Sequence, residues 1–196
     1  MTKKIGITGG IATGKTTLLN LIKDLGFPVI SCDDIVKELY SSDKIKQLIK
    51  NEFGSQVLSP DGEVDKKTLL NLILKSEEKR KSLESLIHPL VKREIEKFLE
   101  ISQQKGLPLV FVEVPLLFEC GWEDMFDEVW VITCNEETQR KRILERPMGE
   151  AFLRLSLLQI PLQKKEALAT RVFSSEKTIK ELKDELRTIL KGYLTT

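Results

Sequence analysis

Residues Gly9–Thr16 spell Gly-Gly-Ile-Ala-Thr-Gly-Lys-Thr, a complete G-x-x-x-x-G-K-T pattern, and they directly follow the apolar stretch Ile5–Thr8. The residues from Thr16 to Leu25 carry leucine and isoleucine at helical spacing. A strand before this pattern and a helix after it are the context of a phosphate-binding loop. The chain is therefore predicted to place a buried strand, a tight glycine-rich turn and a helix in succession, which favours an α/β fold.

The residue types of this loop match the parts of a nucleoside triphosphate. Gly9 and Gly14 accept backbone angles that a Cβ would forbid, so the loop can turn its N–H groups toward phosphate oxygens. Lys15 would place its ammonium on the β- and γ-phosphates, and the Thr16 hydroxyl would bind Mg²⁺. The predicted ATP-binding residues of the loop and the helix start are Gly10, Ile11, Ala12, Thr13, Gly14, Lys15, Thr16 and Thr17.

Size and charge restrict what else the chain can do. Its 196 residues suffice for one α/β domain with an inserted subdomain. Its 31 basic and 30 acidic side chains give a net charge of +1, so no overall field attracts nucleic acid or an anionic membrane. Neither is expected as a partner, and a phosphorylated ligand must be bound by a local cluster.

The three cysteines, Cys32, Cys120 and Cys134, form no C-x-x-C pair, and their spacing to His88 fits no zinc pattern. They are interpreted as buried or incidental thiols in a reducing compartment. No signal peptide is expected before the first strand, and the sequence contains no apolar run long enough to cross a bilayer. A cytoplasmic protein is expected.

Beyond the loop, short apolar runs alternate with helical patterns. Further strands are predicted at 29–32, 109–114, 128–133 and 171–173. This alternation predicts an α/β fold of the P-loop NTPase type, with a mainly parallel, doubly wound sheet of about five strands, a helical insert and a lid. The predicted domains are a nucleotide-binding core at 1–34, 105–139 and 160–196, a helical substrate domain at 35–104, and a lid at 140–159.

Several helix ends can be predicted from single residues. Pro89 fits the first position of a helix, and the preceding His88 is there more typical of a structural residue than of a catalytic one. A helix is predicted at 135–146. Ser175 is expected to cap a closing helix that runs to Leu194.

Acidic residues at strand ends are candidates for chemistry, because ligands of open α/β sheets lie beyond the carboxyl ends of the strands. Asp33 is predicted at the end of the second strand, where it would accept the proton of an attacking hydroxyl or orient that hydroxyl. Its neighbour Asp34 is expected to cap the next helix. Glu113 ends the third strand, and two interpretations stay open for it: a contact to Mg²⁺ through a water, or a structural role.

Basic residues crowd together after the fourth strand. Arg142 and Arg146 are four positions apart, so on a helix they share one face and can bring two guanidinium groups to a phosphate. We predict that they belong to a mobile lid with a hinge at 147–149, the alternative being that they only offset the helix dipole. Arg140 and Lys141 are expected to lie in solvent.

Several further short segments stand out along the chain. Besides the loop and Asp33, they are Phe53-Gly54, Asp61-Gly62, Leu86-Ile87-His88-Pro89, Val114-Pro115-Leu116-Leu117-Phe118-Glu119 and Thr138-Gln139-x-Lys141-Arg142. In this order the segments resemble those of the dephospho-coenzyme A kinase family, over nearly the whole chain. The loop is common to many families, whereas the His-Pro and Pro-Leu-Leu-Phe-Glu segments together are much more specific.

The resemblance implies an enzyme that uses ATP and Mg²⁺ to phosphorylate the ribose 3′-hydroxyl of dephospho-coenzyme A, the last step of coenzyme A synthesis. It also implies a fold similar to that of nucleoside monophosphate kinases. Asp33 resembles the family's base or hydroxyl-orienting aspartate, Arg142 resembles its lid arginine, and Lys15 completes the implied catalytic set. The implied substrate contacts are Thr8, Asp33, His88, Pro115, Leu116, Leu117 and Phe118.

The chain departs from the family pattern at several residues, and its stretch from Arg146 to Gln159 is shorter than in the family. Ser31 stands where the family often has aspartate, Thr170 follows Ala169 where aspartate is usual, and Ser175 replaces an expected asparagine. The last two changes fall where the family pattern places side-chain recognition of the adenine.

Two other functions fit part of these observations. A kinase of the same fold could act on another nucleoside, nucleotide or small metabolite. A nucleotide-dependent regulatory switch would also use the loop, but the sequence has neither the Asn-Lys-x-Asp nor the Asp-x-x-Gly motif of guanine-specific switches. A monomer or a weak homo-oligomer is expected.

Overall fold

A computed structural model describes residues 2–194 of the chain. Two compact units are present. Residues up to Ser31, together with those from Lys97 onward, form the first, which we call the core unit. The second, the helical unit, is Cys32–Glu96.

The core unit is built on one parallel sheet. Its strands are β1 (Lys3–Gly9), β2 (Val29–Ser31), β3 (Leu109–Glu113), β4 (Glu128–Thr133) and β5 (Arg171–Ser174). They run in the spatial order β2-β3-β1-β4-β5, and each neighbouring pair is parallel. The predicted fold class, a parallel sheet of about five strands in an α/β architecture, is confirmed.

Helices alternate with these strands along residues 2–194. They are α1 (Lys15–Asp24), α2 (Cys32–Ser41), α3 (Asp43–Phe53), α4 (Lys66–Lys75), α5 (Glu77–Gln104), α6 (Glu136–Leu144), α7 (Gly149–Ser156), α8 (Leu162–Leu168) and α9 (Ile179–Leu194). Among the helices in this range, none combines the length and apolar character that crossing a bilayer requires.

The core follows from the apolar composition of the strands. Every residue of β3 is buried, as expected for a parallel strand covered on both faces. Aromatic side chains link the strands: the ring centroids of Phe111 on β3 and Trp130 on β4, the strands on either side of β1, are 5.4 Å apart. Those of Trp130 and Phe173, on the adjacent strands β4 and β5, are 5.2 Å apart. Leucines of α1 and α9, among them Leu18 and Leu186, belong to the same buried cluster.

The strand order places the phosphate loop at the centre of the sheet. From β1 the chain continues to β2 on one side, whereas from β3, the neighbour of β1, it continues to β4 on the other side. Adjacent strands whose connections leave in opposite directions create a crevice at their carboxyl ends. Gly9, Glu113 and the residues that follow them lie at this crevice.

The helical unit has its own small core, to which Ile45, Ile49, Phe53, Val57 and Leu69 contribute buried side chains. Between β2 and β3 the described chain contains no strand beyond a single antiparallel bridge that joins residues 58 and 64. The helical pattern predicted for this stretch is therefore correct.

Local signals fix one of its helix starts. The Asp65 carboxylate accepts hydrogen bonds from the N–H groups of Lys67 at 3.0 Å and Thr68 at 3.1 Å. This is the geometry of an N-terminal cap. The Thr68 hydroxyl, which donates to the same carboxylate at 2.7 Å, is the main cause that holds the pKa of Asp65 below its usual value, and the two backbone contacts add to it.

Pro89 does not begin a helix, contrary to prediction. It lies inside α5, which has 28 residues and starts at Glu77. Proline removes one helical hydrogen bond, but Ile87, Val91 and Ile95 are buried on both sides of it. Burial of this apolar face maintains the helix through the proline.

Ser175 does not cap the last helix, again contrary to prediction, because α9 begins at Ile179. Thr178 and Glu181 form the cap instead. The Thr178 hydroxyl accepts from the Glu181 N–H at 3.2 Å, and the Glu181 carboxylate accepts from the Thr178 N–H at 2.8 Å. This reciprocal pair is a capping box.

Candidate nucleotide-binding site

The loop between β1 and α1 has an unusual backbone. Ala12 and Gly14 have positive φ values of 60° and 108°, a region that residues with a Cβ seldom enter. Glycine removes this cost at position 14, but Ala12 bears it. The surrounding structure must therefore hold Ala12 in place.

Glycines at the start of the loop allow the backbone to approach its neighbours closely. A Cβ on Gly9 would lie 2.5 Å from the carbonyl oxygen of Ile132, and one on Gly10 would lie 2.6 Å from Nε2 of Gln139. The first contact is to backbone and excludes a side chain at Gly9, whereas a side chain at Gly10 would require the end of Gln139 to move. The loop is thus packed directly against β4 and α6.

The Gly10 carbonyl is held by two side chains of the loop itself. Lys15 Nζ donates to it at 2.6 Å, and the Thr13 hydroxyl donates to it at 3.0 Å. Thr13 also accepts from the Gly10 N–H at 3.1 Å and is fully buried. The predicted ATP-binding residues Thr13 and Lys15 therefore shape the loop as well.

Two residues of α6 hold the next two carbonyls. Gln139 Nε2 donates to the Ile11 carbonyl at 2.9 Å, and an Arg142 nitrogen lies 3.5 Å from the Ala12 carbonyl. Arg142 also donates to the Ser175 hydroxyl at 2.7 Å and to the Ser175 carbonyl at 3.2 Å. With the carbonyls of residues 10–12 engaged by side chains, the loop is shaped to present N–H groups to a ligand.

The start of α1 strengthens this preference for an anion. Its N-cap, Gly14, supplies no side-chain hydrogen bond, and its first turn contains no acidic residue. The helix geometry leaves its first N–H groups without intrahelical acceptors, and the dipole places partial positive charge there. Thr16 is exposed and Thr17 half-buried at this end, which suits a phosphate group.

The predicted lid residues are placed differently from one another. Arg142 lies on α6 against the loop, whereas Arg146 is exposed in the turn after α6. The two do not share one helix face, because α6 ends at Leu144 and not at Arg146 as predicted. Arg140 and Lys141 are exposed, as expected.

The predicted hinge at 147–149 is a tightly packed corner. Met148 has a positive φ of 62°, and a Cβ on Gly149 would lie 2.7 Å from the Ile143 carbonyl oxygen. Only glycine allows the start of α7 to approach the end of α6 this closely. A lid function for 140–159 stays a prediction.

Glu113 is buried at the carboxyl end of β3, with 2% of its surface exposed. The Ser31 hydroxyl, at the end of β2, donates to its carboxylate at 2.7 Å. This bond gives Glu113 a structural role between two strands, and an indirect contact to a metal stays a prediction. Within residues 2–194, no cluster of three or more His, Cys, Asp or Glu side chains could hold a metal.

The segment after β3 is anchored to β1. Thr8 is fully buried, and its hydroxyl donates to the Pro115 carbonyl at 3.2 Å. Leu117 is also fully buried and lies so close to Gly6 that a Cβ there would meet it at 2.7 Å. Phe118 is 8% exposed, whereas Pro115 and Leu116 are half-buried. The substrate contacts predicted for Thr8 and for 115–118 stay predictions.

The other predicted substrate residues belong to the helical unit. Asp33 and Asp34 are exposed in the first turn of α2, which begins at Cys32. Asp33 therefore does not end a strand, and Asp34 does not cap the helix, because strand β2 passes directly into α2. Negative charge in a first turn complements the helix dipole.

His88 lies half-buried within α5. Burial lowers the pKa of His88 from its ordinary value of 6.5, and the nearby Glu84 carboxylate offsets part of this effect. Burial therefore favours the neutral form of the imidazole. A contact between His88 and the substrate stays a prediction.

Two residues with direct contacts around the loop, Gln139 and Lys165, received no role from the sequence, and Ser175 received a different one. Gln139 and Arg142 are three positions apart on α6, so their common face was available as a signal. Ser175 was predicted as a helix cap and as a departure from the family pattern, and not as a partner of Arg142. Lys165 is fully buried, and nothing in its sequence context distinguishes it from the exposed Lys164.

Known proteins resemble this chain in sequence along most of its length. A family model described as dephospho-CoA kinase matches residues 3–181. A dephospho-CoA kinase of Bacillus cereus is 36% identical over 197 residues, which cover 98% of each chain. That of Carboxydothermus hydrogenoformans is 34% identical over 193 residues, covering 96% of this chain and 93% of the relative.

Solved structures are similar as well. TT1252 from Thermus thermophilus superposes with a TM-score of 0.80 at 29% identity, covering 97% of each chain. A dephospho-CoA kinase from Campylobacter jejuni gives 0.65 at 23% identity, over 98% of this chain and 97% of the other. A shikimate kinase from Aquifex aeolicus gives 0.52 at 16% identity, over 98% of each. The last two likenesses concern the fold alone.

Proposed function

This chain belongs to the dephospho-CoA kinase family, and from that membership we propose how its residues serve the ATP-dependent phosphorylation of dephospho-CoA. The enzyme is a phosphotransferase of coenzyme A synthesis. The acceptor atom in our proposal is the ribose 3′-hydroxyl. Its phosphorylation yields coenzyme A and ADP.

The conformation of the phosphate loop carries the proposal. The carbonyls of Gly10, Ile11 and Ala12 are engaged by side chains, and α1 begins without a side-chain cap. This arrangement favours an anionic ligand bound by main-chain N–H groups. The triphosphate of ATP has the charge and length to occupy such a loop.

Charge on the transferred phosphoryl group must be neutralised in the transition state. We assign this task to the Lys15 ammonium and the Arg142 guanidinium, both of which have hydrogen-bonding contacts to the loop backbone. Arg146 is a second, weaker candidate, because it is exposed beyond the end of α6.

The donor set suits magnesium. Mg²⁺ keeps several waters and is commonly held by few protein ligands together with phosphate oxygens. The exposed Thr16 hydroxyl at the start of α1 would supply such a ligand, and Glu113 would contribute only through a water. When bound, Mg²⁺ neutralises charge on the phosphates.

A ribose hydroxyl is a weak nucleophile at neutral pH, so it must be oriented and relieved of its proton. We assign this role to Asp33. It follows Ser31, the last residue of β2, by two positions, and ligands of such sheets lie beyond strand carboxyl ends. His88 and the 115–118 segment with Thr8 complete the proposed substrate contacts.

The direct test is turnover. The purified protein is incubated with ATP, Mg²⁺ and dephospho-CoA, and the products are analysed for ADP and for a species heavier by one phosphate. Nucleosides, nucleotides and shikimate serve as competing acceptors. Efficient phosphorylation of one of these and not of dephospho-CoA would overturn the proposal.

We propose further that the enzyme acts in the cytoplasm as a monomer or weak homo-oligomer. The spacing of Cys32, Cys120 and Cys134, which form no C-x-x-C pair, supports a reducing compartment. Sedimentation at several protein concentrations tests the association state.

A further inference from the structure

We propose that Lys165 is a positioning residue, which fixes the start of the phosphate loop relative to the segment 115–119 and so sets the alignment of the two substrates. The inference rests on the proposed function, in which residues 115–118 of this segment contact dephospho-CoA. Lys165 lies on α8, far from the loop in sequence, and belongs with it to the core unit.

The contacts of the ammonium are the first support. Lys165 is fully buried. Its Nζ donates to the Gly9 carbonyl at 3.1 Å, to the Pro115 carbonyl at 3.2 Å and to the Glu119 carboxylate at 2.8 Å. A lysine ammonium has three donors, so each of them has an acceptor.

Two of the acceptors, the Gly9 and Pro115 carbonyls, lie at the start of the phosphate loop and at the start of the segment predicted to contact dephospho-CoA. Gly9 is the last residue of β1 and opens the phosphate loop. Pro115 follows β3 closely, and its carbonyl also accepts from the Thr8 hydroxyl. The ammonium therefore joins the carboxyl ends of two neighbouring strands, β1 and β3, at the crevice of the sheet.

Glu119 extends the connection toward α8. The oxygen that pairs with Lys165 also accepts from the Ile160 N–H at 3.0 Å. Its other oxygen is buried and has no hydrogen-bond partner among the described residues. A buried carboxylate with only one hydrogen-bonded oxygen contributes little to the stability of the fold. The pair of Lys165 and Glu119 is therefore better explained by a positioning role.

The stability contribution expected of a buried ion pair also favours a positioning role for Lys165. A buried ion pair can often be replaced by apolar side chains without loss of stability, since desolvation of the charges offsets their attraction. A methionine has nearly the length of lysine and would fill the same volume. The ammonium is therefore best explained by the three groups that it brings together.

The experiment compares Lys165→Met with Lys164→Met, a change at the exposed neighbouring position. Both variants and the wild type are assayed below their melting temperatures for kcat and for the KM of ATP and of dephospho-CoA. For Lys165→Met we expect kcat to fall by about tenfold or more and the KM of dephospho-CoA to rise, because a misplaced reactant reacts slowly. Lys164→Met should match the wild type within about twofold.

A purely structural role would give another pattern. Lys165→Met would then melt earlier than Lys164→Met but show the same kcat and KM values, and this result would overturn the inference. If Lys165→Met does not fold, Lys165→Arg takes its place, since it keeps the charge but moves the donors. Wild-type kinetics in folded Lys165→Arg would equally refute the role.

Failure of the proposed function has a distinct signature. The wild type would then leave dephospho-CoA unchanged and phosphorylate another acceptor, and the same kinetic comparison is made with that acceptor. Calorimetric titration with Mg·ADP adds a measurement independent of any acceptor. Weaker binding by Lys165→Met than by Lys164→Met supports the inference, and equal binding together with equal kinetics contradicts it.

Discussion

The phosphate loop and the helical unit are held in different ways. In the loop, side chains from distant parts of the core unit bind successive carbonyls, and an alanine is kept at a positive φ of 60°. In the helical unit, the candidate residues Asp33 and His88 lie on helices, one exposed and one half-buried. The backbone conformation of the loop by itself thus favours an anionic ligand. The roles proposed for Asp33 and His88, in contrast, depend on the family resemblance.

The largest loss of turnover is expected for a substitution in the phosphate loop. Lys15→Ala removes the ammonium that contacts the Gly10 carbonyl and, in our proposal, the γ-phosphate. We expect kcat with dephospho-CoA to fall by about 10³-fold, as for other groups that stabilise transition-state charge. Lys23→Ala, an exposed change on the same helix, is the control. Comparable turnover in the two variants would remove the main functional argument for the loop.

The second largest loss of turnover is expected for a substitution of Asp33, which tests whether the helical unit also contains a catalytic residue. Asp33→Asn keeps the size of the side chain but removes its basicity. Turnover should fall by about 10²-fold with little change in ATP affinity, the usual contribution of a general base. Asp34→Asn alters the adjacent exposed carboxylate and should stay near the wild type. Equal kinetics for the two variants would show that Asp33 has no such role.

Arg142 and Arg140 lie on the same helix, but Arg142 contacts the phosphate loop whereas Arg140 is exposed. Comparing them tests whether the contact with the loop matters for activity. Arg142→Ala removes the contacts to Ser175 and the Ala12 carbonyl. We expect kcat to fall by about tenfold and the KM of ATP to rise, because a charge-assisted donor is lost. Arg140→Ala, on the exposed side of α6, should leave both parameters unchanged. Earlier melting with unaltered kinetics would mean that Arg142 is only structural.

The smallest effect concerns the pH dependence of stability through His88. Burial lowers its pKa in the folded chain, so the unfolded chain binds the proton first as the pH falls. The free energy of unfolding should therefore decrease from about pH 7.5 to about pH 5.5, and decrease less in His88→Gln. Urea denaturation at each pH measures the difference.

Glu84 provides the matched control for this measurement. Its carboxylate raises the pKa of His88, so Glu84→Gln should make the loss of stability on acidification larger. Parallel stability curves for the wild type and His88→Gln would show that the histidine does not titrate differently on folding.

Sequence patterns were sufficient where local sterics decide the structure. The glycine spacing of the loop, the apolar strands and the parallel sheet were predictable because each depends on residue type at a short repeat. The family resemblance is confirmed too. The roles of Asp33, Arg142 and the other site residues stay predictions until the variants are measured.

Errors arose where tertiary contacts override a local signal. Ser175 has a side chain suited to a helix cap, but Arg142 binds its hydroxyl and the Thr178–Glu181 pair takes that role. Pro89 is tolerated inside α5 because buried neighbours maintain the helix. The burial of Lys165 follows from contacts to Gly9 and Pro115, which no window of sequence around it contains.

The side chains that engage the Ile11 and Ala12 carbonyls have a consequence for how the protein acquires activity. They come from α6, and Ser175, to which Arg142 is bound, follows the last strand. A chain that ends before this region contains the whole glycine-rich motif but lacks the side chains that engage its carbonyls. We therefore expect the loop to acquire its binding conformation only once α6 and the residues after β5 are present.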